Sequence, residues 1–506
     1  MRDREHIFKE EGELFPGKTY VEAVLAPAFD QAKRELLPPM MAIHKAHLIM
    51  LKEQELVADA DVNLIAAALQ KIDLDDLRKA EYTGRFEDLF FQVEHELLEI
   101  AGDAAGNLHI ARSRNDMGIA VYRMVLRDKL LKTIVAGLSL QISLIHTAEE
   151  NRETLMIGYT HTQQAQPTTL AHYLVAVIDV LDRDIKRLQV AYANNNRSPM
   201  GAAALTTTGF NISRDRVREL LAFDELVENS YDAVAGVDYA GETAAAVQLA
   251  AINLGRFVQE LLLWCTQEFD AIRVANPYVQ VSSIMPQKRN PVSVEHARSL
   301  LSSIVGNAQT VLTMIHNTPF GDIVDTEDDM QPYLWKSLET LDQVYRLLAV
   351  VIGTLEVNKE KLRRRTEASF AVVTELADTL VRSEGYSFRT AHHVVGIVVS
   401  TAQTQALAAS EISLGLVAEA AKAVSGKELL LQENELRRAL DPEQFVRIRT
   451  HQGGPSPEEI ARALHVRGAR HAKQVRWTEL VGEAVQGKLA ALDAYIQQRS
   501  QNGNEQ

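Results

Sequence analysis

Proline is missing from three long stretches of this chain: between Pro39 and Pro167, between Pro199 and Pro277, and between Pro332 and Pro442. Inside a helix a proline costs about 3 kcal/mol, because it lacks an N–H and clashes with the turn before it. The gaps are filled with Ala, Leu, Gln, Glu, Arg and Lys, which lose little rotamer freedom in a helix. Strict apolar–polar alternation, the mark of half-buried strands, is scarce. Within Thr243–Phe257, Ala246, Leu249, Ala250 and Leu254 recur at helical spacing, and the opposite face is nearly as apolar. That pattern predicts a helix covered on most sides. Ala244, Ala245, Ala251 and Gly255 would let its neighbours approach closely. The predicted fold class is all-α.

The chain divides into three helical domains by this reading. Residues 1–113 form an N-terminal helical region, 114–365 a bundle of the longest helices, and 366–506 a smaller helical region. The polar tail Gln497–Gln506 is expected to fray. With 506 residues, 46% of them apolar, the chain can bury a sizeable core. Lys and Arg number 53 against 68 Asp and Glu, a net charge of −15. Such a surface repels nucleic acid and anionic membrane, so anion binding must rest on a few placed groups. The single cysteine, Cys265, excludes a disulfide framework and reads as a buried bystander in a reducing, cytoplasmic protein. Met1–Glu13 is charged and lacks an apolar export core, and no uninterrupted apolar span of membrane length stands out.

The segment richest in chemistry is Val281-Ser-Ser-Ile-Met-Pro-Gln-Lys-Arg-Asn-Pro291. Two prolines between helical stretches make it a loop. Lys288 offers a cation, Asn290 amide donors, and Ser282 and Ser283 hydroxyls, a set suited to holding anions. Taken alone, such a pattern also describes an ordinary polar surface loop.

As a whole string it resembles the signature loop of the fumarase/aspartase superfamily. Ala111-Arg-Ser-Arg-Asn-Asp-Met117 is similar to that family's Gly-Arg-Ser-Arg-Asn-Asp-Gln box, and Gly158-Tyr-Thr-His-Thr-Gln-Gln-Ala-Gln-Pro167 to its Thr-His box. Ser198-Pro-Met-Gly-Ala202 and Asn229-Ser-Tyr-Asp-Ala233 also fit. Thr374–Asp378, Ala391–Gly396 and Gly453-Gly-Pro-Ser456 resemble the argininosuccinate lyase branch.

The resemblance implies a carbon–nitrogen lyase that eliminates fumarate from an N-succinyl group without a cofactor or metal. Ser282 then matches the general base, taking a proton from the carbon beside a carboxylate. Lys288 and the loop's backbone N–H groups would stabilise its alkoxide. Ser283, Lys288 and Asn290 would hold the succinyl carboxylates. Ser113, Asn115 and Thr160 would add hydrogen bonds and Arg114 a charge. His161 matches the histidine that acts as an acid or positions the leaving nitrogen. His109 is ambiguous, and the adjacent His392 and His393 read as structural. The family further implies a homotetramer with a central twenty-helix bundle, and active sites composed from three subunits.

The half of the site that should hold arginine departs from the family. The branch carries a Tyr, a Gln and a Lys ahead of a Pro; aligned on Pro332, these fall at Asp322, Glu327 and Met330. No Lys, Arg or Tyr occurs from Phe320 to Pro332. An Asp and a Ser of the N-terminal helix become Met40 and His44, whereas His47 fits. Val281, Val292 and Ala111 replace a Gly, an Asp and a Gly. Two added carboxylates and a lost cation point to an altered leaving group, as in the related ethylenediamine-disuccinate lyase. The acidic Asp322, Asp325, Glu327, Asp328 and Asp329 favour a cationic or polyamine leaving group. Competing readings are argininosuccinate lyase itself, adenylosuccinate lyase, a binding protein for succinyl amines, and a non-catalytic scaffold like the lens δ-crystallins.

Overall fold

The computed structural model describes residues 4–503. Helices dominate, and the strands among the described residues form four two-stranded pairs. The N-terminal region packs helices α1 (Leu37–Glu53), α2 (Asp59–Lys71) and α3 (Leu89–Ala101) around Leu48, Ile65, Val93 and Leu97. Helix α4 (Arg114–Glu150) follows and runs 37 residues, roughly 55 Å at 1.5 Å per residue.

A hairpin of β1 (Leu155–Thr160) and β2 (Gln163–Thr169) turns the chain into α5 (Leu170–Asn195). Helix α5 returns along α4, so that Arg123 donates to the Asn194 carbonyl at 3.1 Å. Helix α6 (Asp238–Trp264) runs out again, β3 (Gln280–Val281) pairs with β4 (Arg289–Asn290), and α7 (Val292–Ile315) comes back. Helix α8 (Gln331–Gly353) is the fifth bundle member and lies parallel to α4. The Thr133 hydroxyl donates to the Leu338 carbonyl and that of Thr147 to Ile352, at 3.3 and 3.2 Å. The fold is all-α with a long central bundle, as the proline gaps predict.

Helix α4 is long and apolar enough to cross a membrane by length and composition, a span that a reading for uninterrupted apolar runs passes over. Here it is the central bundle helix, and its buried Arg123 and Arg127 donate to backbone carbonyls of Asn194 and Leu221.

Beyond the bundle, α9 (Val373–Glu384), α10 (Phe388–Thr404) and α11 (Leu414–Ser425) share a third apolar cluster. Helix α12 (Pro457–Gly503) then runs back along the bundle, pairing Arg467 with Asp179 at 2.6 Å and Arg470 with Asp182 at 2.8 Å. It belongs to no single cluster: Ile460 and Leu464 join the bundle core, Leu492 and Ile496 the N-terminal one. The division at 113/114 and 365/366 stands as a proposal beside these clusters. The fraying expected from Gln497 does not occur before Gly503, because Ile496 is buried and Arg499 pairs with Asp59 at 3.1 Å. The last three positions lie outside the described residues.

Candidate active site

The nominated residues gather in two groups at opposite ends of the bundle. Thr160 and His161 lie just past the C-terminus of α4. Ser282, Ser283, Lys288 and Asn290 share that end, because the segment leaves the end of α6, where Trp264 packs edge-on against Tyr173 at 4.8 Å, and enters the start of α7. Ser113, Arg114, Asn115, Asp322 and Glu327 sit at the other end, at the start of α4 and between α7 and α8. The length of α4 keeps the groups roughly 55 Å apart.

Ser282 lies in a loop closed by two rungs, Gln280 with Asn290 and Val281 with Arg289. Arg289 anchors the base by donating to Asn276 Oδ1 at 2.6 Å and to the Val274 carbonyl at 3.1 Å. The Ser282 Oγ accepts two backbone N–H groups, from Met285 at 3.0 Å and Ile284 at 3.3 Å. A short turn thus aims two dipoles at the oxygen that would carry the alkoxide. Ser283 and Lys288 are exposed and Asn290 half-buried, so one chain alone does not enclose a dry site.

The Thr-His box is a hairpin, which the scarcity of alternation did not predict. His161 and Thr162 form its two-residue turn with φ of 51° and 62°. Two positive φ values in such a turn usually call for Asn or Gly. Holding His and Thr there is a local strain of the kind that collects at functional sites. The tip is exposed, with Thr160 and His161 both facing solvent in the single chain.

At the far end Ser113 is the N-cap of α4. Its Oγ accepts from the Asn115 N–H at 3.3 Å, and Asp116 accepts the Ser113 N–H at 3.0 Å, a reciprocal capping box. Asp116, fully buried, also accepts from the Gly201 and Ala203 N–H groups at 2.9 and 3.0 Å, tying in the Ser198–Ala202 box. Burial pushes its carboxyl up to about 6 against those bonds. Arg114 is already paired with Glu87 at 3.1 Å and Asp88 at 3.0 Å, so its charge is largely offset locally.

The acidic stretch packs against this helix start. Asn115 donates to Asp322 at 2.7 Å, and the Tyr122 hydroxyl donates to Asp328 at 2.5 Å. Glu327 faces Asp322; burial, then the hydrogen bond and charge of Asp322, raise its carboxyl to about 9, so it holds a proton at neutral pH. Met330, the third aligned position, is buried in the bundle core. Met40 and His44 are buried in the N-terminal core. His44 Nδ1 accepts from Arg112 at 2.9 Å, and His47 Nε2 donates to the Ile110 carbonyl at 2.9 Å. Burial and then Arg112 keep both imidazoles neutral, His47 down to about 3. His109 lies 3.4 Å from Glu94, and His392 and His393 are exposed on α10. Cys265 is half-buried, and its thiol is raised to about 11 by burial.

Sequence reasoning did not nominate Tyr122. It lies two turns beyond Ser113 on the same helix, and only its distant partner Asp328 marks it out.

Known proteins agree with this architecture. The lyase family model matches residues 27–306, and the argininosuccinate lyase C-terminal model matches 370–447. Argininosuccinate lyase 2 of Agrobacterium fabrum is 40% identical over 490 residues, 96% of this chain and 94% of that protein. The argininosuccinate lyase of Methanocaldococcus jannaschii is 37% identical over 434 residues, 85% of this chain and 88% of that one. The crystal structure of EDDS lyase in complex with formate superposes with a TM-score of 0.87 at 32% identity, covering 95% of this chain and 97% of that one. Two family models in order, relatives aligned over most of their length, and one shared helical scaffold give a single answer. The chain belongs to the argininosuccinate lyase family, a branch of the fumarase/aspartase superfamily, and is a carbon–nitrogen lyase.

Proposed function

We propose that the protein releases fumarate from an N-succinyl amine other than argininosuccinate, with a leaving group that presents a cation to Asp322, beside the protonated Glu327. The observation that carries this is the 2.7 Å hydrogen bond from Asn115 to Asp322, which fastens the acidic stretch to the Ser113 box. A carboxylate fixed there repels the α-carboxylate of an amino-acid leaving group and attracts an ammonium. A site built around one such group rejects substrates built for the other.

In this reading Ser282, its oxygen held by two N–H groups, takes the proton beside a succinyl carboxylate. Charge grows on that carboxylate as an aci-form, held by Ser283, Lys288 and Asn290. The carbon–nitrogen bond then breaks, and His161 protonates or orients the departing nitrogen. Ser113, Asn115 and Thr160 hold the remaining oxygens.

The roughly 55 Å between the two groups means that a complete site needs more than one copy. An antiparallel homotetramer supplies it by setting the hairpin-and-loop end of some chains against the Ser113 end of another. Bundle helices carry exposed apolar residues suited to that contact: Val135, Val190, Leu249, Ile252 and Val350.

The likeness to EDDS lyase favours a second reading, in which the leaving group is an aminopolycarboxylate. The test is fumarate release, followed by its ultraviolet absorbance, from argininosuccinate, ethylenediamine-disuccinate and N-succinyl diamines, each beside Ser282→Ala. Ser282-dependent release from a diamine adduct and not from argininosuccinate is expected. Efficient release from argininosuccinate would reduce Asp322, Glu327 and Met330 to tolerated drift.

A further inference from the structure

The Gly453–Ser456 box has no part in the chemistry above, yet its geometry is demanding. Gly453 has φ +85°, and a Cβ on Gly454 would lie 2.3 Å from the Arg449 carbonyl oxygen, so neither position takes a side chain easily. The Gly453 N–H donates to Glu459 at 2.8 Å, and Arg462 holds that carboxylate at 2.7 Å. The turn therefore points the Gly453 carbonyl outward. It meets the ring of His172, on the first turn of α5, at 2.9 Å.

His172 reaches the hairpin with its other nitrogen. Nδ1 lies 2.8 Å from the Thr168 hydroxyl, on β2, and the His172 N–H donates to the Thr169 hydroxyl at 3.1 Å. A carbonyl only accepts, so Nε2 donates to Gly453, while Nδ1 and the Thr168 hydroxyl share the second hydrogen bond. Half-buried between two elements, the ring bridges a strand of the hairpin to a turn 281 residues away.

We propose that His172 is a positioning residue for the elimination, a latch that holds the Thr160–His161 hairpin against the Gly453 turn. The latch rests on the reading that this hairpin enters the active site. The hairpin needs it on physical grounds. An isolated two-stranded ribbon is marginal in water, and left-handed backbone at a non-glycine residue costs about 1–2 kcal/mol. Here two such residues sit at the tip, and the pairing slips at Gly158 and Tyr159. Among the described residues, the only other side-chain hydrogen bond from β2 to the C-terminal region is the long 3.4 Å one from Gln166 to Thr374. Losing the latch and misplacing the tip by an ångström would cost turnover through His161 and weaken the Thr160 contact with it.

The experiment uses the full-length protein with His172→Ala, His172→Asn, His172→Gln and Thr168→Val. Amide hydrogen exchange is read over 155–169, and initial rates of fumarate release are read with N-succinyl diamines, ethylenediamine-disuccinate and argininosuccinate. Gln can donate to Gly453 as Nε2 does; Asn cannot reach it. The Ala and Asn variants are expected to speed hairpin exchange about tenfold and lower kcat/KM at least about tenfold, while Gln restores most of both. Unchanged exchange in His172→Ala and Thr168→Val, or Gln as impaired as Ala, would overturn the latch. Should His172→Ala fail to fold, Thr168→Val, which removes one hydroxyl, carries the test. If the unmodified protein releases fumarate from none of these compounds, the proposed reaction is at fault, and the exchange data still decide the latch.

Discussion

The two ends of the bundle are built by different rules. At the hairpin-and-loop end, reactive groups are held by their immediate neighbours in sequence: Ser282 by Ile284 and Met285, and His161 by a two-residue turn. At the Ser113 end they are held by partners far along the chain: Asn115 by Asp322, Tyr122 by Asp328, and Asp116 by Gly201 and Ala203. The first end keeps the family's strings, and the second carries most departures from them. The proposed base, whose geometry is local, can survive in a short motif, whereas the proposed specificity pocket, assembled across 207 residues, can be rebuilt one contact at a time.

The sharpest way to break the comparison is at the hairpin-and-loop end. Ser282→Ala removes the oxygen and leaves the loop's rungs intact. Fumarate release should fall by about 1,000-fold or more, within the range for loss of a positioned acid–base group, with assembly unchanged in sedimentation. Near-normal rates would remove Ser282 from the chemistry. Mixing that variant with Ser113→Ala, after dissociation and reassembly, should restore measurable activity if sites draw on both ends from different copies. No restoration would leave the roughly 55 Å gap unbridged.

At the divergent end, Asp322→Asn keeps the shape and removes the charge. It should lower kcat/KM for a cationic N-succinyl amine about tenfold, the scale of one charge-assisted bond, and leave uncharged-amine adducts within about twofold. Equal losses for both classes would make Asp322 a structural clasp on Asn115 and nothing more.

The difference between the ends also sets what could be read without coordinates. The helical class and the long bundle followed from proline spacing, because that constraint acts residue by residue. The Ser282 loop was legible for the same reason, its two prolines falling between helical stretches, whereas Ser113 came only with the family's box and its place as the cap of α4 was not read. The hairpin was not, since its turn uses His161 and Thr162 where Asn-Gly would announce it. Helix α12 was read as ending in a loose tail because Gln497–Gln506 is polar, whereas Ile496 and Arg499 are held by residues over 400 positions earlier. Tyr122 and His172 were invisible because their partners, Asp328 and Gly453, lie at the ends of other elements.

A smaller effect separates charge from packing at the Ser113 end. Glu327 is raised from 4.5 to about 9 in the fold, by burial first and Asp322 second. Between those values the folded chain keeps a proton that the unfolded chain releases, so this group lowers stability as pH rises from about 4.5 toward 9. Glu327→Gln removes that dependence. Its melting temperature should match the unmodified protein's near pH 5 and exceed it increasingly toward pH 9, Asp116 cancelling in the difference. A constant offset at every pH would mean that Glu327 titrates normally and that the pair with Asp322 is open to water.

The mildest departure, Ala111, tests whether every change at that end concerns specificity. The family's box has a glycine here, and Ala111 adopts φ 58°, the left-handed region that costs an alanine about 1–2 kcal/mol. The strain lies one residue before Arg112, which binds His44, and two before the Ser113 cap. Ala111→Gly relieves it, but glycine also gains freedom in the unfolded chain worth roughly 0.4–1 kcal/mol. The net expectation is a gain of about 0.5 kcal/mol in urea unfolding, with the ratio of rates for argininosuccinate and the preferred amine unchanged. That outcome makes Ala111 drift within a rebuilt neighbourhood. A loss of stability would show the left-handed turn to be held by its surroundings at no cost, and a shifted substrate ratio would place Ala111, through Arg112 and Ser113, among the residues that choose the amine.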